Sequence, residues 1–107
     1  MYYTYMLRCE DNSIYTGITS DVKRRMEEHF SQNKKCAKYT ATHQAKKLEC
    51  VWESENRVLA SKLEFHIKKN LTKAEKESLI KNNNLLELLL GNKIDANKYF
   101  SVKFDIK

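Results

Sequence analysis

Two short runs of aromatic and β-branched residues lie close together near the start of the chain and limit what it can fold into. They occupy residues 3–7 and 13–18, and a polar run at residues 10–13 separates them. Residues of this kind favour strands, and a short polar segment between two such runs favours a turn. The sequence therefore predicts a hairpin of two antiparallel strands.

The alternation of side chains along these strands decides which residues meet. Successive side chains of a strand point to opposite faces. Tyr3, Tyr5 and Leu7 therefore share one face of the first strand, and Tyr15 and Gly17 share one face of the second. A suitable register places Tyr5 beside Tyr15. Because Gly17 has no side chain, we expect it to permit a bulge or the close approach of a substrate backbone.

A helix is predicted directly after the second strand. Thr19 or Ser20 can cap its first turn, and Asp21 favours the positive N-terminal end of a helix. Arg25 and His29 are four residues apart, so they lie on one polar stripe of this helix. The neighbouring stripe, which we expect to face the core, consists of Val22, Met26 and Phe30.

A third strand is predicted after a non-periodic segment. Residues 48–53 alternate between apolar and polar types, which places Leu48, Cys50 and Trp52 on one face. The large apolar side chain of Trp52 is better explained as part of the core than as a nucleotide contact. This strand adds to the hairpin and makes a sheet.

Two more helices follow the third strand. The first is predicted over residues 57–69, where Glu64 borders the buried stripe and can point towards the sheet. Residues 72–75 offer a capping box that starts the second. The buried stripe of the first helix consists of Leu59, Leu63 and Ile67.

The element order β-β-α-β-α-α predicts an α/β (α+β) fold, with a small three-stranded antiparallel sheet flanked by helices. A chain of 107 residues has room for one modest core and not for a second. We assign residues 1–83 to the domain. Residues 84–107 form a C-terminal extension that packs on the domain, makes an oligomer contact or is partly mobile.

The ordered residues of the hairpin and the helices resemble the GIY-YIG nucleases, and most closely the small stand-alone bacterial members. Residues 3–5 stand where this family has its first triplet, and residues 15–17 where it has its second. Arg25 and His29 match the family's helix arginine and helix histidine, and Glu64 matches the acidic metal ligand on a later helix. The resemblance covers about the first eighty residues and implies the GIY-YIG nuclease fold.

The resemblance also implies a metal-dependent endonuclease with five catalytic residues. Glu64 would hold one divalent cation, Mg²⁺ or Mn²⁺. Tyr5 would act as general base, although a phenol with an ordinary pKa of about 10 needs nearby positive charge to lower that pKa. Arg25 would bind phosphate oxygens, while Tyr15 and His29 would position water or phosphate. The family's asparagine after the metal helix corresponds to Asn70 or Asn82.

The charge of the chain agrees with a polyanionic partner. The net charge is +6, which favours binding to nucleic acid through phosphate contacts, with anionic membranes as the rival explanation. A basic loop that contains Lys34, Lys35, Lys38 and Tyr39 is predicted after the first helix. These residues either bind substrate phosphates or are ordinary side chains of a solvated loop. No stretch of the sequence is apolar for long enough to span a bilayer. We therefore expect a cytoplasmic protein, a monomer or weak homodimer, with no membrane partner.

Two functions from different classes follow from these observations. The first is an endonuclease acting on nucleic acid, on DNA rather than RNA, in a repair or recombination-like role. The second is a nucleic-acid-binding module that keeps the fold but has little cleavage activity. The presence of all five catalytic candidates favours the enzyme.

Overall fold

An antiparallel sheet organises the structure, a computed structural model in which residues 1–31 and 43–104 are described. Its strands stand in the order β2-β1-β3-β4. They are β1 (Tyr2–Cys9), β2 (Ile14–Thr19), β3 (Ala45–Ser54) and β4 (Phe100–Val102). The α-helices of the described ranges are α1 (Val22–Ser31), α2 (Arg57–Asn70), α3 (Lys73–Lys81) and α4 (Leu86–Leu90). Two 3₁₀ turns occupy Asn83–Leu85 and Ala96–Lys98.

The α+β class and the order of the first six elements are confirmed, but the predicted strand count is one too low. The additional strand, β4, lies in the C-terminal segment and pairs antiparallel with β3, with Val51 opposite Val102. This strand is only three residues long, which is too short to give a periodic pattern of its own, so the sequence did not predict it as a member of the sheet.

A β-bulge in β3 moves one predicted core residue to the other face of the sheet. The pairing of β1 with β3 skips Glu49, so the alternation is interrupted between Leu48 and Cys50. Leu48 consequently packs with Leu7, whereas Cys50 and Trp52 lie in the opposite core cluster. The prediction of a shared face for all three residues was therefore wrong for Leu48, because an extra residue inverts the alternation.

Two hydrophobic clusters cover the two faces of the sheet. Neighbouring residues of β1 divide between them, since Tyr5 lies in one cluster and Met6 in the other. The cluster on the α1 face contains Tyr5, Leu7, Val22, Met26, Ala45 and Val51. The cluster formed with α2, α3, α4 and the C-terminal segment contains Met6, Cys50, Trp52, Leu63, Ile67, Leu71, Leu79, Leu86, Leu90, Ile94 and Tyr99. The core position predicted for Trp52 is thus confirmed.

The helix starts are fixed by side-chain caps. Thr72 and Glu75 form the predicted capping box of α3. At α1 the cap is Asp21, whose carboxylate accepts a hydrogen bond of 3.1 Å from the backbone N–H of Arg24. The hydroxyl of Thr19 instead accepts a hydrogen bond of 3.0 Å from the backbone N–H of Asp21. The expectation that one of the two residues before Asp21 would cap the helix was wrong, since the side chain of Asp21 reaches this amide itself.

Candidate active site

Tyr5 and Gly17 face each other across the hairpin and fit together as a pair. Gly17 stands opposite Tyr5 in the register of β1 and β2. A Cβ atom added at Gly17 would lie 2.5 Å from the Tyr5 hydroxyl oxygen, closer than van der Waals contact allows. The space above Gly17 is therefore filled by the tip of Tyr5, and the strand pairing is regular there. The bulge that we considered at Gly17 does not form, and the Tyr5 hydroxyl occupies the space that glycine would leave for a substrate backbone.

Three aromatic rings meet on the α1 side of the hairpin. Tyr15 lies diagonally from Tyr5, and their ring centroids are 6.2 Å apart. The imidazole of His29 on α1 lies 5.6 Å from the Tyr5 ring and 5.5 Å from the Tyr15 ring. We expected Arg25 and His29 to lie on one polar stripe of α1, because they are four residues apart. His29 is 0% exposed, however, and its imidazole lies in the interior. The prediction that Tyr5 lies beside Tyr15 is confirmed.

The hydroxyl of Tyr5 and the imidazole of His29 form a buried hydrogen bond. The Tyr5 oxygen lies 2.7 Å from Nε2 of His29, and Tyr5 is 1% exposed. Burial raises the pKa of Tyr5, and the neighbouring Tyr15 raises it further. Burial also lowers the pKa of His29 to about 4, with a further contribution from the charge of Arg25. Both groups are therefore neutral at neutral pH, and the phenol is able to donate to an unprotonated Nε2.

Arg25 supplies the positive charge beside this pair. Burial alone would lower its pKa, but hydrogen bonds to Glu28 and Tyr5 raise it, so the guanidinium remains charged. The ion pair with Glu28 joins Nη1 to Oε1 at 2.6 Å, and the two side chains are 19% and 12% exposed. Arg25 thus lowers the pKa of Tyr5, as the sequence required of a nearby cation, but the effect of burial is larger.

Glu64 stands on α2, the helix that crosses the hairpin on its other side. Its side chain is 25% exposed, and its carboxylate lies 3.4 Å from the ammonium of Lys68, one turn later. The same ammonium lies 5.3 Å from the centre of the Tyr15 ring. The charge of Glu64 also raises the pKa of Tyr5, which places the carboxylate within electrostatic reach of the buried pair.

Glu64 is the candidate ligand for a divalent cation at this site. A cation bound there would keep most of its water ligands. Within residues 1–31 and 43–104 no three His, Cys, Asp or Glu side chains are grouped so as to hold a metal ion. Mg²⁺ is commonly bound by one or two carboxylates together with waters and substrate phosphates. One partly exposed carboxylate, Glu64, meets that minimum.

The remaining predicted residues are those of the basic loop and the two asparagine candidates. The basic loop residues Lys34, Lys35, Lys38 and Tyr39 lie outside the described residues. The side-chain amide of Asn70 bonds to His66 at 2.8 Å, and Asn82 caps the first 3₁₀ turn. Neither of these two contacts is to a candidate active-site residue.

Sequence reasoning also missed residues that the structure places at the site. Neither Glu28 nor Lys68 was among the predicted site residues. Glu28 lies three residues after Arg25, and Lys68 lies four residues after Glu64. Oppositely charged pairs at these spacings are common on helix surfaces, so the spacing did not identify either residue as part of a site. The fit between Tyr5 and Gly17 depends on strand register, which the sequence did not define.

The hairpin, the helix behind it and the residues that meet there define a protein of the GIY-YIG nuclease class. A sequence model described as the GIY-YIG catalytic domain matches residues 1–82, and the chain belongs to this family.

Its relatives include small bacterial proteins. The chain is 51% identical over 79 residues to the UPF0213 protein FN1575 of Fusobacterium nucleatum, covering 74% of this chain and 76% of that one. It is 38% identical over 86 residues to the UPF0213 protein YsiG of Lactococcus lactis, covering 80% and 81%. A solution NMR structure of the UPF0213 protein BH0048 from Bacillus halodurans matches with 38% identity and a TM-score of 0.48, covering 76% of this chain and 84% of that one.

No helix in the described ranges is both long and apolar enough to cross a membrane.

Proposed function

We propose that this protein is a divalent-metal-dependent endonuclease that hydrolyses phosphodiester bonds in nucleic acid. DNA is the favoured substrate, in a repair or recombination-like role. The observation that carries the proposal is the buried 2.7 Å contact between Tyr5 and His29, with the Arg25 cation directly beside it. Membership of a nuclease family supports the same reaction class.

The Tyr5–His29 pair can move a proton without forming a free phenolate. A water that attacks phosphorus must lose a proton, and the Tyr5 oxygen can accept it if the phenol proton passes at the same time to Nε2 of His29. The products of that transfer are a neutral phenol and an imidazolium. A stepwise phenolate is disfavoured because burial raises the pKa of Tyr5. The low pKa of His29 makes it a weak acceptor, so the proton must be drawn there by charge that develops on the substrate.

Arg25 and Glu64 take the two remaining tasks. Arg25 presents a permanent cation to the phosphate oxygens, and Glu28 holds it in place through the 2.6 Å ion pair. Glu64 would hold Mg²⁺ or Mn²⁺, whose positive charge stabilises the phosphate and the leaving oxygen when it is bound. In this proposal Tyr5 and His29 transfer the proton, Arg25 binds the phosphate oxygens and Glu64 holds the cation.

A second candidate function is a nucleic-acid-binding module with weak or no cleavage. The observation that favours it is the pair of pKa shifts, because the phenol is made a weaker acid and the imidazole a weaker base. Both shifts oppose proton removal from water. The net charge of +6 would still support salt-sensitive binding.

The deciding experiment compares cleavage by the wild type and by Glu64→Gln. Labelled single-stranded, duplex and branched DNA and RNA are incubated with Mg²⁺, with Mn²⁺ or with EDTA. Glu55→Gln, an exposed carboxylate before α2, is the matched control. We expect metal-dependent products that are lost in Glu64→Gln and kept in Glu55→Gln. Salt-sensitive binding without products, beside an active reference nuclease, would favour the binding module.

A further inference from the structure

Lys68 occupies a position between the metal-ligand candidate and the ring cluster. Its ammonium lies 3.4 Å from Oε2 of Glu64 and 5.3 Å from the centre of the Tyr15 ring. A lysine that only neutralised a helix carboxylate would have no need to lie over a ring of the sheet. The two contacts hold one cation where α2 meets the hairpin.

The next residue along α2 shows that this placement is particular to Lys68. The ammonium of Lys69 lies 5.3 Å from the centre of the Phe65 ring, which is 53% exposed. Lys69 therefore makes the same type of contact on a neighbouring stripe of the helix, away from Glu64. The two lysines have the same chemistry and differ in what they face.

We propose that Lys68 is a phosphate-binding residue of this site, which neutralises Glu64 until a divalent cation binds there and then contacts the substrate phosphate. The inference rests on the proposed function. It adds a second cation to the site, contributed by α2, beside Arg25 from α1.

Electrostatics explains why the contact must exchange. A divalent cation on Glu64 would repel an ammonium a few ångströms away, since like charges at that separation repel even when water partly screens them. Lys68 has a flexible stem and is 49% exposed, so its ammonium can leave the carboxylate by rotating about its own side-chain bonds. The face of Tyr15 attracts cations and keeps the ammonium close to the site.

The first test measures metal binding in the absence of nucleic acid. Mn²⁺ is titrated into the labelled protein, and broadening of the NMR signals around Glu64 is followed for wild type, Lys68→Met and Lys69→Met. We expect half-broadening in Lys68→Met at a concentration lower by about 1.4–2.3-fold, since a competing cation worth a helix ion pair has been removed. Lys69→Met should match the wild type.

The second test measures phosphate contacts by salt dependence. Binding of a nuclease-resistant phosphorothioate duplex is measured with Mg²⁺ at several salt concentrations. Loss of one phosphate contact reduces the slope of log K against log[salt] by about 0.9. We expect this reduction for Lys68→Met, no reduction for Lys69→Met, and partial restoration in Lys68→Arg.

The outcomes separate this inference from the proposed function. Equal effects of Lys68→Met and Lys69→Met on Mn²⁺ binding and on the salt slope would overturn the role of Lys68, even while the wild type binds metal and cleaves. A wild type that shows no broadening around Glu64 and no cleavage would overturn both. Tighter Mn²⁺ binding together with a smaller slope, in Lys68→Met alone, would establish the exchange.

Discussion

Packing and chemistry depend on the same atom at Tyr5. Its hydroxyl fills the space above Gly17 and also bonds His29. We expect Tyr5→Phe to remain folded and to lose about 1–3 kcal/mol of unfolding free energy, the usual cost of removing one partner of a buried hydrogen bond. Its cleavage rate should fall about 10²–10⁴-fold, as on loss of a general acid–base group. Thermal unfolding and single-turnover cleavage measure the two effects.

Tyr3→Phe is the matched control for that substitution. Tyr3 lies two residues earlier on β1, and its hydroxyl donates to Glu53 at 3.2 Å, away from His29. It should lose a comparable amount of stability or less and keep its cleavage rate. If the two variants lost activity equally, Tyr5 would have no special role in the chemistry.

His29 should make the protein less stable in acid. Its pKa is about 4 in the folded state and about 6.5 when unfolded, so the unfolded state binds the proton more readily. Stability is then unaffected by His29 above pH 6.5, falls as the pH drops from 6.5 to 4, and is fully reduced below 4. A pKa shift of this size lowers the unfolding free energy by about 3 kcal/mol once His29 is protonated in both states. The measurement is urea unfolding across that pH range.

The comparison variant for this pH dependence is His29→Gln, which cannot titrate. Carboxylates affect both proteins alike, so the wild-type curve minus the variant curve isolates the imidazole. A difference that does not change between pH 6.5 and 4 would contradict the depressed pKa.

Gly17 should tolerate no side chain while Tyr5 is present. A Cβ atom there meets the hydroxyl oxygen at 2.5 Å and Cζ at 2.7 Å, and the ring is buried and cannot swing into solvent. Overpacking of this type destabilises by about 1–3 kcal/mol. The loss measured for Gly17→Ala should shrink in a Tyr5→Leu background, because the two nearest clashing atoms are then absent and only Cε2 of Tyr15, at 2.9 Å, remains. Equal losses in both backgrounds would place the strain elsewhere.

Among the elements, Arg8 ties the hairpin to α3. Its guanidinium donates to both carboxylate oxygens of Glu77, at 2.7 and 2.5 Å, and to Glu49 at 3.0 Å. The side chain is only 12% exposed, so Arg8→Met would leave two carboxylates poorly solvated and without this partner. We expect a loss of about 2 kcal/mol, the range for hydrogen bonds to charged groups. Lys47→Met is the control, since Lys47 is 70% exposed and 3.7 Å from Glu49.

Elements with strong local signals were predictable from the sequence, and relations between elements were less so. The Thr72 capping box and the buried Trp52 each depend on a local pattern, and both are confirmed. Leu48 lies on the face opposite to the predicted one because of the bulge at Glu49, and no local sequence pattern predicts that bulge.

The site divides in the same way. The meeting of Tyr5 and Tyr15 followed from strand alternation and a hairpin. The pKa shifts follow from burial and from Arg25, which depend on how α1 packs on the sheet. Residue types together with the family resemblance gave the candidates, and three-dimensional packing determined the protonation states of Tyr5 and His29. The catalytic roles of these residues stay predictions.

At the scale of the whole molecule, the hydrophobic core extends beyond the family domain. The family match ends at residue 82, but Leu86, Leu90, Ile94 and Tyr99 lie in the same cluster as Trp52. The Tyr99 hydroxyl also donates to the backbone carbonyl of Leu59 on α2, at 2.6 Å. The C-terminal segment therefore packs on the helix that presents Glu64 and contributes to its position.

Two leucines of α4 test whether this segment stabilises the fold. Leu90 is 1% exposed in the core cluster, and Leu90→Ala should lower the unfolding free energy by about 2–5 kcal/mol, as for other large-to-small core substitutions. Leu88 is 79% exposed on the same helix, and Leu88→Ala should change the unfolding free energy by less than about 0.5 kcal/mol. Urea unfolding monitored by Trp52 fluorescence reports both, because Trp52 shares the cluster with Leu90. Equal small effects would mean that α4 is peripheral, and the cluster would then end with α3.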